Sequence, residues 1–214
     1  MIFLSLKFSI YIALLCLGYL RYVNSSDRKY MIFSILGILD IVTNLIDQFI
    51  LTSNLELLLI NNLLSVGLYF IFFLAVKNIT ISRTKLTTLY TLLLTYAFIL
   101  FSQDWPKTNI DLYSKYGYLN TLEYSNFCFA SAIICLILCT QTTIKIVKSD
   151  TPSLNIIFII SGIAIYNIGA LAEFGMGAYF ITESHSHNEF LNLLIPMRLY
   201  TSKCFILIGL IWKN

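Results

Sequence analysis

The chain has 214 residues; 58% are hydrophobic, only 12% are charged, and the mean hydropathy is +0.80 with a formal charge of +3. Soluble globular domains carry about 25% charged residues, so a soluble fold is excluded. So is a nucleic-acid partner, which demands a dense basic stripe. The length accommodates seven spans of about 20 residues with short connections, and the expectation is one domain, 1–214, with no appended soluble domain.

Apolar segments are predicted at 2–20, 31–52, 56–76, 87–102, 122–143, 155–181 and 190–212. The first reads as a retained helix and not as a signal peptide, because Lys7 falls within the apolar run and no small-residue cleavage site precedes Arg21. The second carries Asp40 and Asp47, seven residues apart and therefore on one face, together with Gly37 and Asn44. The third has Asn61 and Asn62 near one end and Glu56 as its only acid. On the fourth, Thr84, Thr88, Thr91 and Thr95 recur at helical spacing. On the fifth, Cys128, Ser131, Cys135, Cys139 and Thr142 do the same. Such stripes are expected to form interhelical hydrogen bonds, each worth about 0.6 kcal/mol in a membrane. Between these two segments, the stretch 103–121 holds Trp105, Pro106, Tyr113, Tyr116 and Tyr118, a composition that suits the membrane interface and a short surface helix.

The sixth segment is small-faced, with Gly162, Gly169, Gly175 and Gly177 among Ala164, Ala170, Ala172 and Ala178, and it carries Asn167 and Glu173. Small faces let helices approach closely in lipid. The loop 182–189 reads TESHSHNE; His185 and His187, flanked by Glu183 and Glu189, are candidate ligands for a transition metal or plain solvated side chains. In the seventh segment Pro196 removes a backbone hydrogen bond and predicts a kink. Arg198, Thr201, Ser202 and Lys203 follow it.

Charge fixes the orientation. The loops after the first, third and fifth segments and the C-terminal end hold Arg21, Arg28, Lys29, Lys77, Arg83, Lys85, Lys145, Lys148 and Lys213, whereas the other side holds Lys107 and Lys115. By the positive-inside rule the N-terminus is outside and the C-terminus cytoplasmic, in an all-α polytopic bundle of seven transmembrane helices. Glycosylation-like triplets at Asn24 and Asn78 then fall on the cytoplasmic side and are discounted. The cysteines Cys16, Cys128, Cys135, Cys139 and Cys204 all lie in apolar segments and read as packing residues.

Ionisable groups in hydrocarbon are costly, roughly 2.5–3.5 kcal/mol each, so Asp40, Asp47, Glu173, Arg198 and Lys203 are the candidate site residues. At about 1.5 Å per residue, Asp40 and Lys203 both fall near the midplane, and Arg198, Asp47 and Glu173 in the outer half. Two ionic clusters follow: Asp40 with Lys203, and Arg198 with Asp47 or Glu173. They either fix how helices 2, 6 and 7 pack or serve a ligand or proton. No catalytic motif, cofactor signature or internal repeat appears, so neither an enzyme nor an inverted-repeat transporter is supported.

Two resemblances add to this. The late run SGIAIYNIGAL and the ending LIGLIWKN are similar to those of small seven-helix inner-membrane proteins of bacteria, a likeness that implies the topology and no activity. Lys203 in the seventh helix, with an outside N-terminus, resembles microbial rhodopsins, which would imply a retinal Schiff base on Lys203. The chain departs from that family in having no central carboxylate in helix 3, Leu199 four residues before Lys203, and no tryptophan or proline in helix 6.

The expected function is a receptor-like or accessory module in the lipid bilayer that senses through its outer half and passes the change to a separate membrane or cytoplasmic partner. A small transporter or proton-coupled carrier using the intramembrane charges is the first alternative, and a retinal binder the second.

Overall fold

The computed structural model describes the backbone of residues 2–49, 55–76, 83–102, 122–149, 152–180 and 186–212, and the side chains of 6–46, 60–76, 84–99, 126–149, 152–172 and 196–212. Among these residues the structure is all-helical, with seven helices: α1 (Ile2–Ser25), α2 (Met31–Phe49), α3 (Leu55–Ala75), α4 (Arg83–Ser102), α5 (Leu122–Val147), α6 (Leu154–Phe180) and α7 (Ser186–Ile211). Three of them contain stretches long and apolar enough to cross a membrane: Leu6–Ser25, Asn126–Val147 and Leu154–Ala172. Shorter apolar stretches occupy Met31–Ile46 and Ile60–Ala75. This composition and length suit a membrane location. The outward faces agree, since Leu92, Phe98, Ile168 and Met197 are all more than half exposed, a surface soluble monomers do not carry.

Several helices run past the predicted apolar limits. α1 continues through Arg21 to Ser25, where Ser26 adopts a positive φ of 55° and donates its backbone N–H to the Tyr22 carbonyl, an αL stop. α4 begins at Arg83 and α7 at Ser186, earlier than the apolar pattern indicates. Long basic side chains at such ends keep their charge at the interface while their stems lie along the helix. The stretch 103–121, with its expected surface helix, lies outside the described residues.

The helices pack in chain order, each on the next, and α7 returns to α1; α3 also touches α5. The most extensive contact joins α6 to α7, and glycine explains it. A Cβ on Gly162 would lie 2.6 Å from the Ser202 carbonyl oxygen, and one on Gly209 would lie 2.6 Å from the Asn155 carbonyl oxygen. The two backbones therefore touch through reciprocal small residues, as the small face of the sixth segment predicts. α1 and α2 meet similarly: a Cβ on Gly37 would come within 2.8 Å of Leu15 N, and Ser34 Oγ donates to the Leu15 carbonyl at 3.0 Å.

One end of the bundle, where α2, α4 and α6 begin and α3, α5 and α7 end, is dry and tightly packed. Phe33, Phe72, Phe73, Leu86, Ile159 and Ile206 are fully buried there, and Phe72 packs edge-on against both Phe33 and Phe73. At the same end Asn155 Nδ2 donates to the Tyr30 hydroxyl at 2.6 Å, and Arg21 and Lys29 lie over the Tyr30 ring.

The threonine stripe corrects an expectation. Thr88, Thr91 and Thr95 are exposed, and each hydroxyl donates to the carbonyl four residues back in α4, at 2.8–2.9 Å. They satisfy themselves within one helix and, among the described residues, make no bridge to a neighbour, because a threonine hydroxyl reaches its own i−4 carbonyl more easily than another helix. On α5, Ser131 and Thr142 also bond within the helix, while Cys128 Sγ accepts from Asn62 Nδ2 of α3 at 3.6 Å.

Candidate functional site

A polar cavity of about 170 Å³ opens among α1, α2, α3, α6 and α7, lined by Lys7, Tyr11, Asp40, Thr43, Asn44, Asn61, Ser65, Tyr69, Tyr166, Leu199 and Lys203. Of these eleven side chains only Leu199 lacks a polar atom. Each helix supplies its share at helical spacing: Lys7 and Tyr11 on α1, Asp40 and Asn44 on α2, and Asn61, Ser65 and Tyr69 on α3 follow one another at intervals of four. Counted from the helix ends, Lys7, Asn44 and Asn61 lie nearest the end where α1, α3 and α7 begin. Asp40, Tyr69 and Lys203 lie about 5 Å or more deeper. The cavity thus extends inward from the end of the bundle opposite the dry aromatic one, with Tyr69 and Lys203 at its deep side.

At its deep side the Lys203 ammonium donates to Asp40 Oδ2, joining α7 to α2. The lysine side chain is 4% exposed and the carboxylate 13%. α2 and α7 both pack on α1, so the pair spans the bundle interior between two helices that flank a third. The Tyr11 ring faces the ammonium at 5.6 Å, an additional cation–π contact. Asn44 donates Nδ2 to the Asp40 carbonyl at 2.7 Å, which anchors the amide beside the pair. Among the described residues, the buried Oδ1 of Asn61 has no hydrogen-bond partner, and its side chain lines the cavity.

A second cavity of about 150 Å³ adjoins the first. It shares Lys7, Tyr11, Leu199 and Lys203 and adds Ile10, Pro196 and Tyr200, giving it a more apolar wall. Pro196 lies within α7 and borders this space.

Of the residues singled out from sequence, Asp40, Asn44 and Lys203 come together. Arg198 does not join them. It lies with its guanidinium 5.1 Å from the Tyr166 ring centroid, its stem packed against Gly169 of α6, where a Cβ would meet the Arg198 Cβ at 2.6 Å. Tyr166 in turn packs edge-on to Tyr69 at 6.4 Å, so Arg198 stands behind the cavity's tyrosine wall. The side chains of Asp47 and Glu173, its expected partners, lie outside the described residues. His185 also lies outside them. His187 falls in the first turn of α7, where the sequence pattern places a loop, and its side chain is not described. Among the described residues no three His, Cys, Asp or Glu side chains cluster as a metal site.

Lys7, Tyr11, Thr43, Asn61, Ser65, Tyr69 and Tyr166 are site residues that the sequence did not single out. A signal existed. Asn61, Ser65 and Tyr69 make a polar stripe at four-residue intervals on a largely apolar helix, and Lys7 with Tyr11 has the same spacing. The objection to a Schiff base drawn from helix 3 also changes, because α2 supplies a carboxylate to Lys203. No family model, curated protein or solved structure matches this chain.

Proposed function

We propose that this chain is a seven-span integral membrane protein with its N-terminus outside and its C-terminus cytoplasmic, and that it acts as a receptor-like or accessory module binding a small polar ligand in the Asp40–Lys203 cavity. The observation that carries the reading is the cavity itself. A purely structural ion pair is closed in by packing. This one borders a space walled almost wholly by hydroxyls, amides and charges. Convergent polar groups in a concave site are what small-ligand pockets share. The alternation of nine basic residues against two supports the orientation, and with it a cavity entered from the outer side.

The packed end leaves the cavity open from one side, an arrangement that suits a receptor and is shared by a single state of a carrier. Phe33, Phe72 and Phe73 close the bundle beneath the cavity, so a ligand entering from outside meets a packed floor and no path onward in this conformation. A ligand that separates Asp40 from Lys203 relaxes the tie between α2 and α7, and that shift is the change a partner in the membrane or cytoplasm reads. It is effective to the extent that the ligand binds one arrangement better than the other.

The test is water access. In a background with the exposed Cys16 and Cys204 replaced by serine, Asn61→Cys in nanodiscs is expected to react rapidly with a small hydrophilic thiol reagent, and Leu36→Cys, fully buried, to stay unreactive. Equal protection of both positions would remove the cavity as a ligand site.

A further inference from the structure

Asp40 and Lys203 form a pair whose charges cancel at the deep side of the cavity, while Lys7, the other charged side chain of the lining, lies about one helical turn nearer the helix ends; this restricts what can insert between the pair. An anion drawn to Lys203 displaces the Asp40 carboxylate and leaves it, 13% exposed, without its close partner. A cation drawn to Asp40 does the same to the Lys203 ammonium, which is only 4% exposed. A buried charge stripped of its partner is strongly unfavourable. A zwitterion has neither penalty: its ammonium takes the place of Lys203 at Asp40, its carboxylate takes the place of Asp40 at Lys203, and the charge of the site is the same before and after.

The walls fit such a head group. Asn61 brings a buried acceptor, Oδ1, that lacks a hydrogen-bond partner among the described residues, and an ammonium has three protons to give, one more than Asp40 and a ring face need. The Tyr11 ring, already facing the Lys203 ammonium, offers that face to a ligand cation. The adjoining space of about 150 Å³, bordered by Ile10, Pro196 and Leu199 and continuous in its lining with the first through Tyr11 and Lys203, accepts an aliphatic group attached next to the charges. We propose that the cavity binds a free α-amino acid with an aliphatic side chain, inserted between Asp40 and Lys203. This rests on the reading of the cavity as a ligand site.

The test uses the full chain in nanodiscs and three probes of one carbon skeleton: L-leucine, isoamylamine, which lacks the carboxylate, and isocaproate, which lacks the amine. Calorimetric titration is expected to show saturable leucine binding, with each analogue weaker by about tenfold or more. Ser65→Leu, which fills the cavity without touching either charge, is expected to abolish leucine binding while the protein elutes as a monodisperse peak. An analogue binding as tightly as leucine overturns the zwitterion assignment and leaves the ligand site standing. Absence of saturable binding by all three, in protein whose Asn61→Cys is water-accessible, overturns the amino-acid proposal alone. An unreactive Asn61→Cys overturns the site itself.

Discussion

Removing Lys203 or Asp40 singly should destabilise the bundle far more than removing both. With the ammonium 4% and the carboxylate 13% exposed, neither can turn to bulk water when its partner goes. Stripping one member of such a pair costs about 3–5 kcal/mol, while replacing both by apolar groups of similar volume is often neutral or stabilising. The two single losses should differ. Lys203→Met leaves a carboxylate beside the polar cavity, where Asn44, Thr43 and water soften the penalty, and should sit near the low end of the range. Asp40→Leu leaves the more deeply buried ammonium and should sit near the high end. For a chain of this length, that translates to a fall of roughly 6–20 °C in melting temperature. The double variant should recover most of the loss and melt closer to wild type than either single variant, so that the two single losses are far from additive. The protein supplies its own reporter. Cys128, Cys135 and Cys139 are buried and react with a thiol-sensitive dye only on unfolding, once the exposed Cys16 and Cys204 are replaced by serine. Single variants that melt like wild type, or losses that simply add in the double, would refute the pairing.

The remaining predictions concern topology, packing and pigment. A reporter fused after Lys213 should read as cytoplasmic, and a cysteine at position 184 should react with an impermeant reagent in intact cells; the reverse pattern overturns the orientation. Gly162→Leu should lower stability by about 1–3 kcal/mol or more, because its side chain must enter the backbone of α7, and a melting temperature within a degree of wild type would contradict the close approach. All-trans retinal should give no red-shifted visible band, since the Lys203 amine that would form the Schiff base is buried and engaged by Asp40. A stable coloured complex lost in Lys203→Ala would promote the retinal reading.

Much of the fold was legible because lipid demands long apolar helices, and such runs are visible without periodicity. The positions of α2, α3 and α6 follow the apolar pattern within a few residues. The ends of α1, α4, α5 and α7 do not, since Arg21, Arg83, Lys145 and His187 continue helices beyond the apolar run, where composition resembles a loop. Matching depth along α2 and α7 was enough to pair Asp40 with Lys203. Depth also set Arg198 apart from that pair, but it cannot say which way a side chain faces around a helix axis, and so it did not foresee the packing of Arg198 on Tyr166 and Gly169. The threonines of α4 misled for a related reason: a regular polar stripe satisfied within its own helix looks, in sequence, like one that meets a neighbour. The cavity walls needed the tertiary structure, because tyrosine and serine are unremarkable in a membrane helix until five helices bring them to one space.

One contact lies at the centre of the site, between Lys203 Nζ and the Asp40 carboxylate. Solid-state NMR on the protein in lipid bilayers, with ¹⁵N on lysine Nζ and ¹³C on aspartate Cγ, measures it directly. Wild type should show strong dipolar dephasing between a lysine and an aspartate in a water-poor environment, and the part lost in Asp40→Asn should equal the part lost in Lys203→Met. If neither substitution changes the dephasing, the two groups are apart in the membrane and the cavity has no ion pair at its centre.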